Sequence, residues 1–171
     1  MYKFQVQVHR SYDKNNIRND IAILYLARPL EFNAHVQPVC LPTRMAKPGT
    51  QCYSTGWGRL NDNSIPSRLR QSASVVLSNS QCRSRYILYD SETQLCVKGT
   101  RRSQEAKGTR HSICQGDSGG PFVCENGHGV WELHGINSFH VHQGPWNPAI
   151  DVVSRVTSYL RFIQRAIGGM E

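Results

Sequence analysis

The chain has no long hydrophobic run. A bilayer-spanning helix needs about 18 or more consecutive apolar residues, and nothing in the 171 residues approaches that. The start lacks the apolar core of a secretory leader: Tyr2, Phe4, Val6 and Val8 alternate with Lys3, Gln5, Gln7 and His9. No Cys-x-x-Cys pair occurs, which argues against zinc ribbons and thioredoxin-type chemistry. Internal repeats and low-complexity tracts are absent too. Acidic residues are scarce beside basic ones, 12 against 20, for a net charge of +8. The excess is spread along the chain, which speaks to solubility. No accompanying motif points to nucleic acid, and none is expected as a partner. Arg101, Arg102, Lys107 and Arg110 make one modest cluster. It reads as an exposed loop, and a polyanion such as a heparin-like sugar is the partner it would suit.

What the chain does have is cysteine: Cys40, Cys52, Cys82, Cys96, Cys114 and Cys124. Six in a chain of this size fit disulfides formed in an oxidising compartment. That usage conflicts with the missing leader, so the true N-terminus is expected upstream of Met1. The alternation over residues 2–8 predicts a strand with one buried face. Residues 19–26, "NDIAILYL", are apolar on both faces after Asp20 and predict a fully buried strand. The proline-rich residues 41–49 read as a linker. Short strand-like segments follow at 51–57, 70–77, 93–97, 121–124, 130–136 and 152–156, separated by turns rich in Gly, Asn, Ser and Pro. That spacing predicts an all-β antiparallel barrel or sandwich. Val156, Tyr159, Leu160, Ile163 and Ile167 fall at helical spacing and predict an amphipathic tail helix.

The chemistry concentrates in "CQGDSGGP", residues 114–121. Glycines on both sides of Ser118 permit a sharp turn and bring backbone N–H groups close to a substrate. The N–H groups of Gly116 and Ser118 could converge on a developing oxyanion. A serine hydroxyl is a weak nucleophile and needs a base, usually a histidine held by a carboxylate.

The whole string resembles the nucleophile motif of the chymotrypsin-like (trypsin-fold) serine proteases. Residues 9–42 are similar to that family's segment around the triad aspartate, and "CYSTGWGRL" at 52–60 to the opening of its second barrel. "LHGINSF" at 133–139 resembles the strand lining its primary pocket, and "VTSYLRFI" at 156–163 its closing helix. The likeness is greatest to the chymotrypsin and elastase branch. It implies a partial domain over 1–171: a first-barrel remnant and linker at 1–45, a second β-barrel at 46–155 and a C-terminal helix at 156–167. It implies a secreted, monomeric serine endopeptidase acting on protein or peptide substrates through an acyl-enzyme, without cofactor or metal. Ser118 would be the nucleophile, Asp20 the orienting carboxylate, Ser138 the hydroxyl that helps hold Asp20, and Gly116 and Ser118 the oxyanion donors. Asp117 would receive the N-terminus generated on activation.

One part of that constellation is missing. The family's histidine lies in a "TAAHC"-like segment upstream of the aspartate, and nothing before Asp20 resembles it. His9 falls on the polar face of the first strand. His35, His111, His128, His134, His140 and His142 match no catalytic position. His140 and His142 would share a face in an extended segment, but no third ligand accompanies them, so no metal site is expected. This chain alone is expected to have negligible peptidase activity. A non-catalytic pseudoprotease, serving as a secreted binding module, is the alternative.

The resemblance pairs Cys52 with Cys124 and Cys82 with Cys96. It leaves Cys40 without its upstream partner, and Cys114 without one in "FHVHQGPWNPAID", residues 139–151. Ser112, six positions before the nucleophile, would be a neutral pocket floor, with Ser138, Phe139 and His140 at the rim. That favours small or medium apolar side chains. Counting back from "VSRV" places Asp151 at a second floor position, where it could bind a basic side chain; counting forward from Pro148 places Ala149 there instead.

Overall fold

The computed structural model describes residues 5–59, 64–100, 115–141 and 150–168. Ser112, Cys114, His111, His142, Pro148, Ala149 and the basic cluster at 101–110 lie outside them, as do Tyr2 and Phe4. Two short strands come first, β1 (Gln5–Val8) and β2 (Ala22–Tyr25), paired antiparallel with Val6 opposite Leu24 and Val8 opposite Ala22. Then come β3 (Gln51–Gly56), β4 (Arg70–Val76), helix α1 (Asn79–Arg83), β5 (Gln94–Gly99), β6 (Pro121–Glu125), β7 (Trp131–Val141) and β8 (Ile150–Arg155). A 3₁₀ turn, Val156–Tyr159, leads into helix α2 (Leu160–Gly168). The later strands close into an antiparallel barrel in the order β3-β4-β5-β8-β7-β6.

Period-two alternation builds the core. Successive side chains on a strand leave opposite faces, so Val153 joins Cys52, Val76, Leu95, Val97, Phe122 and Cys124 inside the barrel. Val152 and Ile150 turn outward to cover Cys82, Cys96 and Tyr89. A third cluster joins the barrel to the tail, where Val156, Tyr159 and Ile163 bury Ile21 with help from Ile23, Leu133 and Ile136. Cys52 and Cys124 sit directly opposite each other on β3 and β6 and are joined in a disulfide.

Two expectations need correction. The first two strands are not buried: Val6 and Val8 are 48% and 54% exposed, and Leu24 and Leu26 are 58% and 54% exposed. Of residues 19–26 only Ile21 is buried. The reason is geometric: Ile23 packs toward the tail, while no described element covers the face bearing Val6, Val8 and Leu24. Ile167 is exposed as well, and Ala166 takes the inner position on α2. Cys82 and Cys96 are buried together in one cluster as free thiols. Their proximity lowers the Cys82 pKa and, together with burial, raises that of Cys96. Helix α1 was not read from the sequence, although Ser78 and Gln81 form a capping box at its start.

Candidate active site

The site forms where the β7–β8 edge of the barrel meets two loops. Along β7, Asn137 pairs with Val153 and Phe139 with Val152. Ser138 is therefore an extra residue with no partner of its own, a β-bulge, and bulges re-aim the side chain they insert. Ser138 uses both of its polar ends. Its hydroxyl donates to Asp20 Oδ2 at 2.5 Å, and its carbonyl accepts from Ser118 Oγ at 3.1 Å. Asp20 and Ser118, 98 residues apart in the chain, thus meet across a single residue.

Asp20 arrives on a tight turn. Ile17 and Asn19 have φ of 50° and 52°, a left-handed conformation that a β-branched residue rarely adopts and that costs about 1–3 kcal/mol. Several bonds hold it: Gln94 Nε2 donates to Ile17 O, Asn19 Nδ2 to Ser11 O, and Tyr159 Oη to Asn19 Oδ1. Burial, with the charges of Asp90 and Asp20 nearby, pushes the Tyr159 phenol up to about 12. It stays a neutral donor.

Ser118 lies exposed in a loop anchored by its neighbours. Gly119 N–H donates to Asn137 O, Asn137 N–H to Gly120 O, and Asn137 Nδ2 to Asp117 O. Asn137 is itself buried and accepts from Ser54 Oγ at 3.0 Å. Sequence reasoning passed over Asn137. The one signal for it was a polar side chain directly after the apolar Ile136 in a strand. Gly116 takes φ of +101°, which L side chains rarely adopt. Among the described residues, neither the Gly116 nor the Ser118 N–H has a protein acceptor. The Asp117 carboxylate lies along Gly56 and Gly58 and accepts from Gly58 N–H at 2.8 Å.

Asp20 and Ser118 contact no imidazole among the described residues. The His9 ring stacks edge-on against Tyr159 and Phe162, where burial and then the Arg10 charge lower its pKa. His134 is buried and bonded to Glu132. His140 stands opposite Asp151, whose side chain is buried on β8. Cys40 is exposed, its backbone bridged to Glu132.

A closed antiparallel barrel thus presents a Gly-bounded serine one residue away from a carboxylate on a second loop. The trypsin family model matches residues 2–163, and the chain belongs to that family of chymotrypsin-like serine proteases. It is 34% identical to mouse cathepsin G over 161 residues, covering 93% of this chain and 56% of that protein. It is 35% identical to mouse chymotrypsin-C over 169 residues, covering 95% and 60%. To Salmo salar trypsin-3 it is 36% identical over 137 residues, covering 79% and 52%. The chain therefore spans little more than half the length of these relatives.

Proposed function

We propose that this chain carries the nucleophile, the orienting carboxylate and the oxyanion donors of a secreted serine endopeptidase, with no general base among its described residues. One observation carries the reading: Ser138 is bonded to Ser118 through its carbonyl and to Asp20 through its hydroxyl. In that arrangement Asp20 would hold an imidazolium, and the N–H groups of Gly116 and Ser118 would receive the charge on the tetrahedral intermediate. Among the described residues no imidazole is bonded to Ser118 to take its proton, and on this reading the chain alone hydrolyses peptides negligibly. The same reading divides the chain into a first-barrel part at 1–45, the second barrel at 46–155 and the tail helix at 156–167. It also makes Asp117 the receiver of an activation N-terminus, and expects Cys82 and Cys96 to close as a disulfide on oxidation.

The test is chemical rescue. A fluorophosphonate probe labels Ser118 slowly in buffer, and added imidazole accelerates labelling in proportion to its concentration; Ser118→Ala and Asp20→Asn both remove the acceleration. Rapid stoichiometric labelling without imidazole overturns the missing base. Labelling that imidazole never accelerates points to the pseudoprotease, a binding module. For the pocket, Ser112 as a neutral floor and His140 at the rim favour small or medium apolar side chains. A second reading, preference for a basic side chain, is favoured by Asp151, which is 1% exposed on the strand beside Ser138. Peptidyl phosphonates ending in Val and in Lys, compared in the rescue assay, decide between them. Retention on heparin, and its loss when the basic residues of 101–110 are neutralised, tests the polyanion partner.

A further inference from the structure

We propose that Ser154 is a positioning residue for Asp20, acting on its backbone as Ser138 acts on its carboxylate; this rests on the reading of Asp20 given above. The Ser154 hydroxyl donates to Asp20 O at 2.7 Å, and Ser154 is 4% exposed. Asp20 is the middle residue of a three-residue turn closed by Ile21 N–H donating to Asn19 O at 2.9 Å, so its own carbonyl takes no part in closing that turn. A part-buried carbonyl seeks a donor, and the donor found here stands on the barrel wall. The direction of the Asp20 Cα–Cβ bond is set by the backbone. Fixing its carbonyl therefore steadies the Cα–Cβ bond from which the carboxylate is aimed, and Ser138 holds the carboxylate at its end.

The barrel wall supplies the frame. Ser154 on β8 pairs with Ile136 on β7 on one side and with Gln94 on β5 on the other. Two residues beyond Ile136 comes Ser138, which binds the Asp20 carboxylate. Gln94 binds Ile17 O at 3.1 Å, at the far end of the same left-handed stretch. Three side chains on three neighbouring strands thus address the turn at Ile17 O, Asp20 O and Asp20 Oδ2. The turn holds its unfavourable φ values because a rigid sheet reads it at three points. Of these contacts, the one made by Ser154 falls on Asp20 itself without touching the reacting atoms.

The experiment compares the full chain with its Ser154→Ala and Ser154→Thr variants. Fluorophosphonate labelling of Ser118 is followed across an imidazole series, and the ratio of imidazole-dependent to imidazole-independent rate is the readout. Loss of fold lowers both rates together, whereas a misaimed carboxylate lowers the ratio. Ser154→Ala is expected to reduce the ratio by about tenfold or more, since small misplacements of a reacting geometry are costly. Ser154→Thr, which keeps the hydroxyl, restores it. An unchanged ratio in Ser154→Ala overturns the proposal. Should that variant not fold, Ser154→Cys, a weaker donor of similar size, takes its place with the same expectation. If the parent chain shows no imidazole-dependent labelling, the reading of the site fails, and crystal structures then judge Ser154 separately. In Ser154→Ala the Ser138 Oγ to Asp20 Oδ2 distance is expected to exceed hydrogen-bonding range, and a retained bond refutes the role.

Discussion

Ser138 serves two partners because it is unpaired in its sheet. A regular strand residue commits its N–H and C=O to the ladder, whereas the bulge frees the Ser138 carbonyl for Ser118 and turns its hydroxyl to Asp20. Asp117 is fitted as closely on the opposite side of the nucleophile. A Cβ placed on Gly58 would lie 2.3 Å from Asp117 Oδ2 and 2.4 Å from its Cγ, well inside contact distance. Gly58→Ala is therefore expected to displace Asp117 and lower stability by about 1–3 kcal/mol. Thermal or urea unfolding of Gly58→Ala, Asp117→Ala and the double variant checks the cause. The double variant should lose less than the sum of the singles, and strict additivity would place the clash elsewhere.

At the scale of elements, the barrel closes between β3 and β6, where the Cys52–Cys124 disulfide ties residues 72 apart. In the chain-entropy view a loop of that length is worth roughly 4 kcal/mol. Replacing both cysteines with alanine should lower the unfolding free energy by several kcal/mol, read from denaturant midpoints under non-reducing conditions; a change below about 1 kcal/mol would mean the β3–β6 pairing holds without it. The strands were legible in the sequence because apolar residues alternate along them, and the closing helix because its apolar positions recur at helical spacing. The burial of β1 and β2 was misjudged for a physical reason. Alternation marks which face is apolar and says nothing of whether a neighbouring layer covers it.

For the whole molecule, two features shape solution behaviour. The apolar face of the β1–β2 sheet, with Val6, Val8 and Leu24, is covered by no described element and is opposed by a net charge of +8. Salt screens that repulsion, so self-association should rise with ionic strength, and Leu24→Lys should suppress it. Light scattering across a salt series checks this, and equal scattering from parent and variant would acquit the face. The second feature is His134, whose pKa burial lowers even though Glu132 pulls the other way. Its depressed folded value means that the unfolded chain binds the proton more readily. Stability is then full above the unfolded value near 6.5 and declines as pH falls from there through the folded pKa. His9 is shifted in the same direction. Melting temperatures between pH 7.5 and 5 should fall in the parent and fall less in His134→Gln.

The sequence by itself determined the strand segments, the tail helix, the Gly-bounded Ser118 and its likeness to one family, because these are written in local spacing and composition. Tertiary structure decided how Asp20 and Ser118 meet. It placed the unpaired Ser138 between them, Asn137 beneath the nucleophile loop and Ser154 behind the aspartate. Those roles depend on strand register and on a bulge, which arise only when distant strands pair. No pattern along the chain encodes which hydroxyl the fold brings within 3 Å of a given carboxylate or carbonyl.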